Sequence, residues 1–285
     1  MKIIMAEHAG FCFGVKRAVD AIEEALKNSK EVWTIGLPIH NPQEVSRLEN
    51  LGLRVADDES EIPSGAEVLI RAHGEPLDVI ENLQARNIKV KDMTCPFVKK
   101  AQNMALELSE KNYYVVLLGD KNHPEIKGIL GHVKNKNNSE VVANEDEAKN
   151  LTRKSKIALI SQTTQREERL SKVAGILTKK SSELHVCNTI CKATAERQDA
   201  VKELVKNNDV DGVVLIGGRA SANTGKLKDI ITSQNIPVLW IEDVNGIESN
   251  LEWFKNKNLI GIAAGASTPE WLIDKIKIII AAIGE

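Results

Sequence analysis

Short apolar runs alternate along the chain with longer segments whose apolar residues recur at helical spacing. The run 115–118 reads VVLL, whereas in 15–28 the apolar residues stand at positions 15, 18, 19, 22, 25 and 26. The first pattern predicts buried strands and the second predicts amphipathic helices. The predicted strands are 2–6, 31–34, 68–70, 88–90, 115–118, 157–160, 213–216, 238–241 and 259–263. The predicted helices are 15–28, 43–50, 77–86, 97–111, 126–133, 166–180, 193–207, 226–234 and 268–283.

The order of these elements indicates the fold class. Strands and helices alternate with short connections, which is typical of an α/β protein with mainly parallel sheets and covering helices. Cys12, Cys95 and Cys191 each stand just before a predicted helix, at spacings of 83 and 96 residues by subtraction of their numbers. We therefore expect three similar small α/β units around a common centre, covering 1–95, 96–191 and 192–285.

Composition narrows the range of partners. Of the 285 residues, 42% are hydrophobic and 27% are charged, and the net charge is −2 without a long basic or acidic block. Nucleic acid and membrane surfaces are therefore not expected as partners. We find no signal peptide and no membrane-spanning run, and the four cysteines form no CxxC pair. These features predict a cytoplasmic protein with reduced thiols.

The cysteines at helix starts are candidates for metal binding. Cys12 lies between Gly10 and Gly14, where the positive end of a helix dipole favours the thiolate. Any one cysteine is more often a small buried hydrophobic residue, but three at similar junctions weaken that interpretation. Three thiolates suit iron–sulfur or zinc chemistry. Spacing alone does not separate a 4Fe–4S cluster with one open iron from a zinc site with three cysteines and a histidine.

Polar residues follow many of the predicted strands, and in open α/β sheets ligands bind outside the carboxyl ends of the strands. His40, His73 and His123 are either turn residues or ligands for an anion or zinc. Small polar residues at helix starts either cap the helix or hold a phosphate, and no GxGxxG motif or P-loop is present. The residues of this kind are Ser221, Asn223 and Ser267.

Glu125 stands in the segment His123-Pro124-Glu125, just before a predicted helix. A carboxylate in a first turn commonly stabilises the helix dipole. In a closed site, the same group would be a proton donor. Both roles remain open from the residues alone.

Nine short motifs together resemble the family of 4-hydroxy-3-methylbut-2-enyl diphosphate reductases, the last enzymes of the non-mevalonate isoprenoid pathway. Several motifs in a fixed order are far more specific than any one of them. They run over the whole chain as GFCFGV (10–15), IHN (39–41), AHG (72–74), TCP (94–96), HPE (123–125), SQTT (161–164), ICKAT (190–194), SAN (221–223) and AGAS (264–267).

The resemblance implies three α/β units in a trefoil around a central 4Fe–4S cluster bound by Cys12, Cys95 and Cys191, with Cys187 left out. It implies Glu125 as the proton-relay acid of a two-electron reductive dehydroxylation of an allylic diphosphate. The products implied are isopentenyl and dimethylallyl diphosphate, and the expected electron donor is a ferredoxin or flavodoxin. The residues that the resemblance assigns to the substrate are His40, His73, His123, Thr163, Thr194, Ser221, Asn223 and Ser267.

One position departs from the family pattern. Many members carry a second serine before the asparagine, where this chain has Ala222. The lost hydroxyl donor is expected to weaken diphosphate binding by about 1 kcal/mol unless Thr224 compensates.

Two competing functions use the same residues. A zinc hydrolase would use the histidines and cysteines as ligands, and an iron–sulfur redox sensor would use the three thiolates without turnover. The colour of the anaerobically purified protein separates zinc from a cluster, and turnover of the allylic diphosphate separates a sensor from an enzyme.

Overall fold

A computed structural model describes residues 1–29 and 31–283. Its strands form three four-stranded sheets in which every pairing is parallel. The expected α/β class with three similar units is therefore confirmed. The strands are β1 (Lys2–Met5), β2 (Val32–Ile35), β3 (Leu53–Ala56), β4 (Glu67–Ile70), β5 (Lys89–Asp92), β6 (Tyr114–Leu118), β7 (Ser139–Val142), β8 (Lys154–Ser161), β9 (Ser181–Cys187), β10 (Gly212–Ile216), β11 (Val238–Ile241) and β12 (Leu259–Ala264).

Helices connect the strands and cover the sheets. Short 3₁₀ turns at Glu59–Glu61, Lys136–Asn138 and Leu251–Phe254 complete the connections. The α-helices are α1 (Phe13–Asn28), α2 (Pro42–Asn50), α3 (Leu77–Ala85), α4 (Pro96–Glu110), α5 (Pro124–Leu130), α6 (Glu145–Asn150), α7 (Glu167–Thr178), α8 (Lys192–Asn207), α9 (Ala222–Thr232), α10 (Asn245–Glu248) and α11 (Glu270–Ile283).

The three sheets share one strand order. The orders are β3-β2-β4-β5, β7-β6-β8-β9 and, read in the same direction, β11-β10-β12-β1. In each sheet the second and third strands of this order are the central neighbours. In the first two sheets the chain crosses outward from these strands in opposite directions. That point is the topological switch at which α/β sheets place ligands. The third sheet takes its fourth strand, β1, from the start of the chain.

Apolar layers cover both faces of the sheets, which explains why the central strands read as continuous apolar runs. Along β6, Val115 and Leu117 enter one core cluster, while Val116 and Leu118 enter another. The central strand β10 alternates in the same way between two clusters. These buried strands hold the loops at their carboxyl ends on a rigid support.

Three strands lie outside the prediction: β3, β7 and β9. Each is an edge strand, and β9 exposes Ser182, Glu183 and Val186 to solvent. Exposed polar residues interrupt all three, Arg54 in β3, Glu140 in β7 and Glu183 in β9, so these edge strands lack the apolar run that identifies a central strand. The connection between α5 and β7 contains a 3₁₀ turn, Lys136–Asn138, which ends where β7 begins.

The chain packs as two compact units. The third sheet lies in the unit formed by residues 1–20, 37–51 and 192–285, and the other two sheets lie in the unit formed by 21–36 and 52–191. The division into 1–95, 96–191 and 192–285 stays a prediction, but the pairing of β1 with β12 assigns residues 2–5 to the last sheet. Among the described residues, no helix is long and apolar enough to cross a membrane.

Candidate active site

The three helix-start cysteines have the same main-chain environment. The N–H of Cys12 donates to the carbonyl of Ala266, that of Cys95 to Ala72, and that of Cys191 to Thr163, each at 3.0 Å. Each cysteine follows the fourth strand of its sheet, and each acceptor lies in the loop after the third strand. The three cysteines, whose spacing suggested equivalent positions in three units, therefore make equivalent main-chain hydrogen bonds.

Side chains fix two of these cysteine loops locally. Before Cys95, Asp92 accepts hydrogen bonds from the main chain and hydroxyl of Thr94 and from Lys99 Nζ at 2.8 Å. Burial alone would raise the pKa of Asp92, but these bonds outweigh it and lower the pKa. A charged Asp92 therefore holds the turn.

The loop before Cys191 uses different side chains. Asn188 Oδ1 accepts from the N–H of Ile190 at 3.1 Å, and Thr189 Oγ1 accepts from the N–H of Ser161 at 3.0 Å. Asn188 and Thr189 thus fix the turn and attach it to the end of β8. The position of the cysteine is the same in each sheet, whereas the side chains that support it differ.

The fourth cysteine differs from the other three. Cys187 is 2% exposed and lies in a core cluster beside Ala158 and Ile160. Burial raises the pKa of its thiol to about 11. Cys12, Cys95 and Cys191 are of intermediate exposure. Only these three combine accessibility with a helix-start position, so the donor set fits a metal group with three thiolate ligands.

Glu125 and Thr163 meet at the switch point of the second sheet, after the neighbouring strands β6 and β8. The N–H of Thr163 donates to Glu125 Oε1 at 2.6 Å, and Thr163 Oγ1 donates to Oε2 at 2.9 Å. Both residues are buried, at 2% and 5% exposure. Burial raises the pKa of Glu125 to about 7, although the two bonds from Thr163 act in the opposite direction. A carboxyl group in this state can donate a proton near neutral pH.

Two predicted histidines lie together in the same unit. The rings of His73 and His123 are edge to face, with centroids 5.5 Å apart. His123 caps α5, since its Nδ1 accepts the N–H of Glu125 at 3.1 Å. A neutral His123 therefore carries its proton on Nε2. Such a ring can donate a hydrogen bond to an anion.

Gln102 lies behind the turn of His73 and was not identified from the sequence. It is 1% exposed, and a Cβ atom placed on Gly74 would collide with its amide. Neither of its amide atoms has a hydrogen-bond partner among the described residues. Its position in the middle of α4 carried no signal, because one polar residue on a helix is unremarkable in a sequence.

His40 and Ser267 meet in the other unit. Ser267 Oγ donates to the main-chain carbonyl of His40 at 3.2 Å. Gly218 approaches the same carbonyl so closely that any Cβ atom there would overlap it. The glycine is required by this close approach. The loops after β10 and β12 thus support the segment that carries His40.

The segment Ser221 to Thr224 begins α9. Ser221 Oγ accepts the N–H of Thr224 at 3.3 Å, so Ser221 is an N-cap. Asn223 is 4% exposed, and neither atom of its amide has a hydrogen-bond partner in the described part of the chain. Because a buried unpaired amide is costly, this one is suited to a ligand that completes its bonds. Thr194 is also buried, in the first turn of α8.

These features define a class of protein before any comparison is made. Parallel sheets that carry a buried acid, histidines and helix-start thiols at the carboxyl ends of their strands are typical of an α/β enzyme with a metal group. The family described as LytB protein matches residues 3–281. The chain belongs to this family.

Relatives with assigned names are similar to this chain over nearly its full length. A 4-hydroxy-3-methylbut-2-enyl diphosphate reductase from Aquifex aeolicus is 44% identical, covering 96% of this chain and 94% of the relative. The protein of that name from Helicobacter pylori strain Shi470 is 40% identical, covering 97% and 98%.

Solved structures give the same result. The Plasmodium falciparum E-1-hydroxy-2-methyl-but-2-enyl-4-diphosphate reductase matches with a TM-score of 0.90 and 26% identity, over 98% of this chain and 87% of that one. A structure described as the terminal enzyme of the non-mevalonate pathway matches with a TM-score of 0.70 and 44% identity, over 99% of both chains.

The raised pKa of Glu125 predicts a pH-dependent stability. Its pKa is about 7 in the folded chain against 4.5 ordinarily, so the folded state holds the extra proton between these values. The stabilisation is complete below pH 4.5 and is lost as the pH rises through 7. Relative to Glu125→Gln, the free energy of unfolding should fall by about 3 kcal/mol over this window.

Denaturant titrations at several pH values measure this difference. Replacement of the exposed Glu110 by Gln is the matched control and should leave the pH profile parallel to that of the unaltered protein. If the free energy of unfolding of Glu125→Gln also varies with pH in parallel with that of the unaltered protein, the pKa of Glu125 is not raised.

Proposed function

We propose that this chain catalyses the reductive dehydroxylation of (E)-4-hydroxy-3-methylbut-2-enyl diphosphate to isopentenyl and dimethylallyl diphosphate, since its relatives are named as reductases of this substrate. Two electrons and two protons enter, the hydroxyl group leaves as water, and one proton is added to carbon. The observation that carries the proposal is the buried Glu125–Thr163 pair, because this reaction requires a proton source inside a dry site.

Cys12, Cys95 and Cys191 are the proposed ligands of a 4Fe–4S cluster. Their shared helix-start position and intermediate exposure support this role, and the buried thiol of Cys187 is excluded from it. When bound, the cluster would supply electrons and a Lewis-acidic iron for the substrate's hydroxyl. The electron donor that we propose is a reduced ferredoxin or flavodoxin.

The diphosphate is the proposed ligand of the histidines and small polar residues. His123 offers a donor at Nε2, and Asn223 offers an amide without a protein partner among the described residues. His40, His73, Ser221 and Ser267 complete the proposed set. The Ser221 hydroxyl already accepts a cap bond, so it can still donate its proton to a phosphate oxygen.

Glu125 and Thr163 form the proposed proton relay. In the protonated acid, Oε2–H donates to Thr163 Oγ1, and the threonine hydroxyl is then free to donate toward the substrate. After transfer, the carboxylate accepts the hydroxyl and the main-chain N–H of Thr163. The N–H bond is compatible with both states, so the carboxyl group keeps its orientation while the proton moves. Thr194 is proposed to contact the substrate from the start of α8.

Serine substitutions test the cluster ligands. Cys12→Ser, Cys95→Ser and Cys191→Ser should each lower iron and sulfide content, since serine is a poorer ligand for an iron–sulfur cluster. Cys187→Ser is the matched control and should keep the visible absorption of the unaltered protein. Full cluster content in Cys191→Ser beside a colourless Cys187→Ser protein would reverse the assignment.

Calorimetry against inorganic diphosphate tests the anion site. His40→Ala and Asn223→Ala should each weaken binding by about 1–3 kcal/mol, the cost of losing a hydrogen bond to a charged group. Thr232→Ala, at the exposed far end of α9, is the control and should bind normally. Unchanged affinity in both test variants would place the anion elsewhere.

Glu125→Gln tests the relay and the proposed reaction. This variant keeps the shape of the side chain but cannot release a proton, so turnover with a one-electron dye should fall by about 10²-fold or more. Its visible spectrum should be unchanged. Turnover of the unaltered enzyme should decline as the pH rises above about 7, where Glu125 loses its proton. Near-normal turnover in Glu125→Gln would show that Glu125 is not the proton donor and only stabilises the start of α5.

A further inference from the structure

Arg197 is a buried cation with an unusual pair of acceptors. It lies in the second turn of α8 and is 6% exposed. Its Nη2 donates to the carbonyl of Gly10 at 2.8 Å, and its Nη1 donates to the carbonyl of Ala193 at 2.9 Å. Gly10 stands two residues before Cys12, and Ala193 stands two residues after Cys191. One guanidinium group therefore binds the main chain beside two proposed cluster ligands.

The Cys12 loop is supported differently from the other two cysteine loops. The loops of Cys95 and Cys191 are fixed by side chains within two or three residues of the cysteine, Asp92 and Asn188 among them. The corresponding side-chain contact to the Cys12 loop comes from 187 residues away along the chain, from Arg197. Gly10 itself has φ +103, a backbone conformation that ordinary residues rarely adopt.

The cost of burying the guanidinium group indicates that the hydrogen bonds of Arg197 have a structural purpose. A buried guanidinium group is costly unless its donors are satisfied. Hydrogen bonds from a charged donor are stronger than neutral ones, and the planar fork of an arginine fixes the geometry of two acceptors at once. The two carbonyls are therefore held at a defined separation, and the positive charge is held beside the Cys12 loop.

We propose that Arg197 is a positioning residue for Cys12, and that its fixed charge raises the reduction potential of the group bound there. The proposal rests on the cluster assignment given above. A positive charge in a partly dehydrated site stabilises the reduced, more negative state of a cluster. The guanidinium group thus has two separable effects, one of geometry and one of charge.

Two substitutions separate these effects. Arg197→Met keeps an unbranched chain but removes the charge and both hydrogen bonds. Arg197→Lys keeps the charge but cannot reproduce the planar fork. Arg86 provides the matched control, because its guanidinium also donates to two main-chain carbonyls, those of Glu59 and Ile62, which lie outside the loops of Cys12, Cys95 and Cys191. Arg86→Met should cause a comparable general loss of stability.

The first measurement is hydrogen exchange at the Cys12 amide in the full-length, cluster-free protein. Exchange should accelerate about tenfold in Arg197→Met, the scale expected for losing a hydrogen bond to a charged group. Arg197→Lys should give a smaller acceleration. The Cys95 amide in the same samples and the Cys12 amide in Arg86→Met should change less than about twofold. Equal effects of Arg86→Met and Arg197→Met at Cys12 would overturn the positioning role.

The second measurement is redox titration of the reconstituted holoenzyme followed by its visible and electron paramagnetic resonance spectra. The potential should fall in Arg197→Met and stay near that of the unaltered protein in Arg197→Lys. An unchanged potential in Arg197→Met would overturn the electrostatic role. If the unaltered protein itself takes up no cluster, the proposed function fails, whereas the exchange measurement still decides whether Arg197 positions Cys12.

Discussion

One main-chain hydrogen bond recurs in all three sheets and fixes the loop that carries each helix-start cysteine. In each sheet, the N–H of a cysteine after the fourth strand donates to a carbonyl after the third strand. The bond ties the start of the following helix to the carboxyl end of the neighbouring strand, whatever side chains surround it. Because it uses only backbone atoms, it leaves each unit free to vary its supporting residues, as Asp92, Asn188 and Arg197 illustrate.

Burial controls the protonation state of the Glu125 carboxyl group. The same dry environment that raises its pKa to about 7 also strengthens the two bonds from Thr163. A more exposed carboxyl would be ionised at neutral pH and could only accept protons. A buried one without Thr163 would be easier to protonate but would lose the orientation that these two bonds give it.

The sequence predicted the central strands, nine of the eleven α-helices in the described residues and the strand-end position of the site residues, because apolar runs and helical periodicity report burial directly. The two helices that it missed, α6 and α10, are six and four residues long and too short to show that periodicity. It missed β3, β7 and β9, whose outer sides face water and so resemble loops. The pairing of Glu125 with Thr163 follows from the strand order, which periodicity does not encode. Gln102 and Arg197 escaped notice because a polar residue on a helix shows its burial only once the partner elements are in place.

The pairing of β1 with β12 has a consequence for biosynthesis. Residues 2–5 are translated long before their hydrogen-bonding partner at Leu259–Ala264. Until β12 is made, β1 lacks its partner strand, while the sheets built from β2–β5 and β6–β9 can already close. The loop that carries Cys12 therefore acquires its Ala266 anchor last, so the nascent chain completes two of its cysteine loops well before the third.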